Sequence, residues 1–84
     1  MPDYGLPTSY MALATGTPVY TTDGTEVGRV ARVLAVDEKD IFDGIVIDTA
    51  QGRRFVDAPE VGRIYERGVM LGIGDDEAAQ LPAY

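Results

Sequence analysis

Residues 23–37 read Asp-Gly-Thr-Glu-Val-Gly-Arg-Val-Ala-Arg-Val-Leu-Ala-Val-Asp, and the rest of the predicted fold is organised around them. Asp23 and Gly24 lie between the β-prone residues 19–22 and a long, mostly apolar run. An Asp-Gly pair tolerates the positive φ angles that a two-residue hairpin turn requires. The sequence therefore predicts a β-hairpin at Asp23 and Gly24, with the other strands arranged around its second strand.

The second strand of this hairpin, residues 26–36, is predicted to bend. Its side chains change parity along the run: Val27, Arg29, Ala31 and Val33 share one face, whereas Val30, Leu34 and Val36 share the other. Such a change indicates a β-bulge or a sharp coil, which we place near residues 31–32. Gly28 has no Cβ, so another backbone or a bulky side chain can approach it closely.

Further short β-prone segments follow, each bounded by turn residues such as Gly44 and Gly68. They predict strands at residues 45–49, 54–58, 63–66 and 69–73. Together with residues 19–22 and 26–36 these make six strands, a pattern typical of an all-β fold. We expect a small, closed, six-stranded antiparallel β-barrel.

The segments on either side of the strands are predicted to differ from the barrel. Residues 1–15 contain two prolines and a glycine, which favours an extended N-terminal arm with one short helical turn at residues 10–14. Residues 75–84 begin with three acidic residues, which favours a short helix ending before Pro82. The expected organisation is an arm (1–15), a barrel (16–74) and a C-terminal helical tail (75–84).

The composition restricts the chemistry that the chain can carry out. It has 84 residues with no histidine and no cysteine, which removes thiol chemistry, Ser-His and Cys-His nucleophile systems and nearly all zinc and haem sites. A domain of this size buries about 60% of its unfolded surface, so we expect little concave volume for a substrate pocket. The sequence predicts no enzyme activity, no cofactor and no metal site.

The net charge of −7 indicates which partners are excluded. An acidic protein repels a phosphate backbone, so direct binding of nucleic acid is not expected. The apolar runs are too short to cross a bilayer, and the first residues do not resemble a signal peptide. We therefore expect no membrane insertion and a cytoplasmic location.

Clustered acidic side chains raise the question of a metal site. The segment 37–43 contains Asp37, Glu38, Asp40 and Asp43. Hard cations bind clustered oxygen ligands, but Lys39 falls on a ligand position of an EF-hand-like spacing, and no glutamate closes the segment. A solvated turn is the favoured interpretation.

Two aspartates and several arginines are considered for catalysis or binding. Asp48 and Asp57 lie on strands predicted to form a hairpin, but both are also expected as the outward residues of half-buried strands. Arg29, Arg32, Arg53 and Arg54 have no aromatic run beside them. They are favoured as members of surface ion pairs with neighbouring acids.

Five apolar residues are the predicted points of contact with a partner protein: Tyr4, Leu6, Tyr10, Ile41 and Phe42. Those of the arm either pack on the barrel or reach a partner, and packing is favoured, because exposed apolar clusters are uncommon on monomers. Ile41 and Phe42 interrupt a charged loop. They either fold over a barrel end or stay exposed as a contact point, and both alternatives stay open.

The sequence resembles the PRC-barrel family over residues 16–73. The resemblance rests on Asp-Gly-x-x-Val-Gly-x-Val at residues 23–30, with Gly-Thr-Pro-Val at 16–19, residues 33–37 and 44–48, and Val61 before the closing hairpin. This family includes the cytoplasmic domain of the photosynthetic reaction-centre H subunit and the C-terminal domain of the ribosome maturation factor. The resemblance implies a small six-stranded barrel that binds other proteins and has no shared catalytic site.

The function expected from these observations is a non-enzymatic interaction module with an unidentified protein partner. Small core size, strand edges that need cover and spare apolar side chains favour a homodimer. One alternative is an accessory factor in ribosome or RNA processing that contacts ribosomal protein. A weaker alternative is a barrel that binds a small ligand or a metal ion.

Overall fold

The computed structural model describes residues 3–84, apart from the side chain of Asp37, so the first two residues of the predicted arm lie outside the described part. Within it the strands are β1 (Pro18–Tyr20), β2 (Glu26–Val36), β3 (Ile41–Thr49), β4 (Gly52–Asp57), β5 (Val61–Tyr65) and β6 (Gly68–Leu71). A short helix, α1, spans Asp75–Ala78. Three 3-10 turns lie at Tyr10–Ala12, Asp37–Lys39 and Ala58–Glu60. The prediction of an all-β fold with six strands is confirmed for the described residues.

The six strands form one sheet in the order β4-β3-β2-β1-β6-β5, and the prediction of a closed antiparallel barrel is wrong. The sheet is mixed, because β1 and β6 are parallel, whereas the other neighbours are antiparallel. The cause is the turn Ala58–Glu60, which carries the chain from one sheet edge to the other without reversing it. Strand β5 therefore continues in the direction of β4, and β6 returns in the direction of β1.

The two outer strands do not pair with each other, because segments from the ends of the chain occupy both edges. On β5, Thr8 N donates to Ile64 O (2.9 Å) and Glu66 N donates to Leu6 O (3.1 Å). On β4, Phe55 N donates to Pro82 O (2.9 Å), and the tail forms a bridge between Arg54 and Ala83. These bonds satisfy edge groups that would otherwise be free to pair with another strand.

Strand β2 bends where the sequence predicts it. Its pairing with β3 shifts between Val30 and Arg32, so Ala31 is the extra residue of a bulge. Gly28, nearer the start of β2, lies against the backbone of Asp48, and an added Cβ would overlap the Asp48 carbonyl oxygen. The bulge turns the strand, and the glycine permits the close approach of β3.

One hydrophobic cluster fills the inner face of the curled sheet. Its members are Val19, Val30, Ile45, Ile47, Val56, Val69, Leu71, Ile73 and Leu81. Two strands separate β3 from β6 in the sheet order, so their side chains share one cluster only because the sheet is strongly curled. Full burial of each valine or isoleucine contributes about 1.5–3 kcal/mol. Val46 is also fully buried but lies outside this cluster, so β3 buries side chains on both faces.

Two turn predictions need correction. The turn at Asp23 and Gly24 belongs to a five-residue connection, residues 21–25, because β1 ends at Tyr20 and β2 begins at Glu26. The Thr21 side chain organises this loop by accepting hydrogen bonds from Asp23 N (3.2 Å) and Thr25 N (3.3 Å). Gly24 adopts φ 85°, which is the conformation expected of it.

The second correction concerns the loop assigned to residues 37–44. Strand β3 begins at Ile41, so the loop contains only residues 37–40 and closes at Asp40, whose φ is 51°. Ile41 and Phe42 pair with Val36 and Ala35, which extends the β2–β3 hairpin beyond the predicted strand. Gly44 is consequently a buried residue inside β3, with φ 151°.

Candidate protein-interaction surface

The end of the β2–β3 hairpin carries apolar side chains on both faces. Ala35 pairs with Phe42, and Val36 pairs with Ile41. Directly paired residues of an antiparallel ladder point to the same face, and successive residues alternate. A second register shift, between Leu34 and Ala35, makes Asp43 an extra residue in β3. Phe42 therefore faces the inner side of the sheet, where it packs against the core cluster, whereas Val36 and Ile41 share the outer side.

A stacked aromatic pair covers the inner side of this hairpin end. The rings of Tyr10 and Phe42 are 4.8 Å apart between centroids and inclined by 9°. The Tyr10 hydroxyl donates a 2.6 Å hydrogen bond to Asp40 Oδ1. This bond joins the N-terminal 3-10 turn to the loop between β2 and β3, so two distant segments of the chain form one surface.

Several large apolar side chains on this surface are open to solvent. Met11 is 68% exposed, Ile41 45% and Val36 40%. On the inner side of the hairpin end, a shallow groove of about 360 Å³ is lined by Tyr10, Met11, Leu13, Val33 and Ala35. We define the tip surface as Tyr10, Met11 and Phe42 on the inner side of the hairpin end together with Val36 and Ile41 on its outer side. Its apolar area is continuous with the interior, because Phe42 packs against the core cluster.

The border of the tip surface is mainly acidic. Glu38, Asp40 and Asp43 are exposed in the adjoining loop and at the start of β3, and Lys39 is the cation among them. An apolar centre with a charged, solvated border is the usual organisation of a protein–protein interface.

The five predicted contact residues fall into two separate groups. Tyr10, Ile41 and Phe42 come together in the tip surface. Tyr4 instead packs its ring against Tyr20 (5.2 Å between centroids) and lies over Gly68, where an added Cβ would be 2.8 Å from a Tyr4 ring carbon. Leu6 lies on the strand-like arm beside β5 and is 71% exposed.

A polar network at the opposite end of β2 was not predicted from the sequence. The buried Thr21 hydroxyl donates to Asp75 Oδ1 (2.6 Å), and the Thr25 hydroxyl donates to Asp75 Oδ2 (2.9 Å). Asp75 N in turn donates to Asp23 Oδ2 (2.9 Å). This network fixes α1 against the β1–β2 loop. Its partners are distant in sequence, so no local pattern signals it.

Burial raises the pKa of Tyr20 above its ordinary value of 10.0, with smaller contributions in the same direction from Tyr4 and Glu26. The cause is that a tyrosinate would lose hydration there and would lie beside other negative groups. This effect belongs to the packing of the arm on β1 and is far from the tip surface.

The two aspartates considered for acid–base chemistry are held apart in the β3–β4 hairpin. Asp48 accepts a 3.0 Å hydrogen bond from Arg53 Nε, and its strand position is opposite Arg53. Asp57 is opposite Gly44, about 13 Å along the strand from Asp48, and caps the turn Ala58–Glu60. Each carboxylate therefore has a structural role in its own place.

Two of the four arginines singled out in the sequence form ion pairs in the structure. The ion-pair prediction is confirmed for Arg53 with Asp48 and for Arg29, whose Nε lies 3.8 Å from Glu26 Oε2. Among the described residues no group of three or more acidic side chains is arranged to hold a metal ion.

One expectation about cavities is wrong. A groove of about 610 Å³ opens between α1, the start of β2 and the β3–β4 turn, although little concave volume was expected from a chain of this length. The short helix and Leu81 form one wall, which a plain barrel would lack.

Comparisons with known proteins add no assignment. No protein-family model matches the sequence, and a search of curated proteins found no significant match.

Among residues 3–84, no helix has the length and apolar character needed to cross a membrane.

Proposed function

We propose that the protein is a non-enzymatic interaction module and that it binds another protein through the tip surface. The observation that carries the proposal is the exposure of Met11, Val36 and Ile41 at the hairpin end that also carries the Tyr10–Phe42 stack. Large apolar side chains grouped on a small domain are costly to leave in water, and such patches mark contact sites. The lack of histidine and cysteine supports the non-enzymatic part of the proposal.

The partner that we propose is a different protein, with apolar side chains flanked by lysine or arginine. The acidic border at Glu38, Asp40 and Asp43 is complementary to such a segment. A second copy of this chain would bring two acidic borders and two net charges of −7 together. The strand-edge argument for a homodimer also loses force, because the chain covers both edges itself. The homodimer therefore stays a prediction and becomes the alternative outcome of the test.

Membership of the PRC-barrel family and a cytoplasmic location are part of the same proposal. The bent β2 with its Asp-Gly turn and Gly28 supports the resemblance, and family members generally bind proteins. The open, mixed sheet departs from the barrel that the resemblance implies.

A site-specific crosslinking experiment tests the proposed surface. A photoreactive amino acid at position 41 is compared with the same group at position 6, an exposed apolar position in the second group of predicted contacts. We expect a discrete protein adduct from position 41 only, and we expect Met11→Asp to abolish it. The crosslinked protein is then purified, and its affinity is measured with Ile41→Asp and with the matched control Leu6→Asp.

The expected result is a loss of affinity of at least about tenfold for Ile41→Asp and none for Leu6→Asp, with binding that weakens as salt increases. Equal effects of the two substitutions would show that the tip surface is not the site. An adduct between two copies, together with a dimer by light scattering, would replace the proposed partner by a homodimer. A ribosomal protein in the adduct would support the alternative of an accessory factor in ribosome or RNA processing.

A further inference from the structure

The groove between α1 and the β3–β4 turn shares no residue with the tip surface and has a different chemical character. Its volume of about 610 Å³ is within the range of small-molecule sites, about 300–1,000 Å³. Val27, Ile47, Ala78 and Leu81 supply apolar lining, and Ile47 and Leu81 belong to the core cluster. The groove therefore offers an apolar floor that is open at one side.

Arg54 gives the groove an inward-facing cation. It is paired in register with Ile47, so it lies on the inner face of β4, whereas its neighbour Arg53 is paired with Asp48 on the outer face. Arg53 forms an ion pair with Asp48. Arg54 Nη1 donates a 2.9 Å hydrogen bond to the Arg53 carbonyl oxygen, and within the described residues no carboxylate lies within ion-pair distance of Arg54.

The two acids that line the groove already have partners. Both carboxylate oxygens of Asp75 accept threonine hydroxyls, from Thr21 and Thr25. Glu26 lies 3.8 Å from Arg29. Arg54 is thus the cation that lines the groove, and it can donate further hydrogen bonds to a ligand, because a guanidinium has five N–H donors.

We propose that this groove binds a small amphiphilic monocarboxylate, with its apolar tail on Val27, Ile47 and Leu81 and its carboxylate on Arg54. A guanidinium matches a planar carboxylate through two parallel hydrogen bonds. The net charge of −7 disfavours ligands with several negative charges, which selects a monoanion over a phosphate dianion. Gln51, on the rim of the groove, adds a side-chain amide that is able to donate to the same headgroup.

The test is a titration of the whole isotope-labelled protein with sodium decanoate, followed by two-dimensional amide NMR. Decanol serves as the uncharged probe with the same tail. We expect saturable shifts at groove residues with both probes. Arg54→Gln should weaken decanoate binding about tenfold and leave decanol binding unchanged, because only the carboxylate contact is lost. The matched control is Arg53→Gln, which alters the neighbouring cation on the other face and should leave both affinities unchanged.

A second variant separates loss of the ligand site from loss of folding. Ala79 is exposed on the groove wall, so Ala79→Phe should fill the groove and block both probes while the rest of the amide spectrum is retained. Shifts spread over the whole protein, equal effects of Arg53→Gln and Arg54→Gln, or unaltered binding by Ala79→Phe would each overturn the proposal. None of these outcomes bears on the tip surface, so the two proposals fail independently.

Discussion

In the loop just before β2, polar side chains form hydrogen bonds with one another. At the last residues of β2, by contrast, apolar side chains are exposed to solvent. Thr21, Thr25 and Asp75 satisfy one another through short hydrogen bonds beside α1. Val36 and Ile41, at the other end, are paired through the backbone but remain 40% and 45% exposed. The first end therefore contributes hydrogen bonds that hold α1 against the fold, whereas the second end exposes apolar side chains to solvent.

The largest effect on stability is expected at the first end of β2, where Thr21, Thr25 and Asp75 are hydrogen-bonded. Replacing Thr21 by valine removes one donor and the acceptor for two backbone N–H groups, all at a side chain that is 3% exposed. We expect Thr21→Val to lower the free energy of unfolding by about 2–3 kcal/mol, measured by urea denaturation. The matched control is Thr22→Val at the exposed neighbouring position, with an expected change below about 0.5 kcal/mol. Equal losses from the two variants would show that the network does not stabilise the fold.

Smaller effects on stability are expected at the last end of β2, where Val36 and Ile41 are exposed. Tyr10→Phe keeps the stack on Phe42 but removes the hydrogen bond to Asp40, so we expect a loss of about 0.5–1.5 kcal/mol. Ile41→Ser should change stability by less than about 1 kcal/mol, because the side chain is already half in water. Both values come from urea denaturation. A loss from Ile41→Ser as large as that from Thr21→Val would remove the contrast between the two ends.

The smallest effect concerns pH and the region where the arm meets β1. The pKa of Tyr20 is raised in the folded state, so near pH 10 the folded protein binds more protons than the unfolded chain. The contribution of Tyr20 to the free energy of unfolding is therefore present below the ordinary pKa of 10.0. It is lost as the pH rises through the pKa of Tyr20 in the folded state. We expect a decline in the free energy of unfolding above about pH 10 that Tyr20→Phe reduces. An identical decline in the unsubstituted protein and in the Tyr20→Phe variant would contradict this.

The sequence predicts most of β2 because its signals are local. The strand spans Glu26–Val36 as predicted, and the bulge lies at Ala31, where the apolar parity changes. The charged residues 37–40 are a short turn, but Ile41 and Phe42 continue the ladder because Val36 and Ala35 are available to pair with them. That pairing depends on the partner strand and has no signature in the loop itself.

The sequence does not predict that the sheet is open, for a related reason. The directions of β5 and β6 depend on whether the turn at Pro59 reverses the chain. The composition of a three-residue 3-10 turn does not predict whether it does so. The candidate sites show the same limit. Tyr10 and Phe42 were each identified as apolar contact residues, but their stacking depends on the tertiary fold. The inward orientation of Arg54 follows from register with Ile47, which alternation alone does not fix.

The pairing of residues 6–8 with β5 and of residues 82–84 with β4 has a consequence for how the protein is handled. A protein shortened to the six strands would expose the unpaired backbone N–H and C=O groups of both edge strands, β4 and β5. It would be prone to pair with other copies of itself into extended sheets. The smallest unit that keeps the sheet finite therefore includes both flanking segments, and affinity tags are better attached through a spacer than directly beside them.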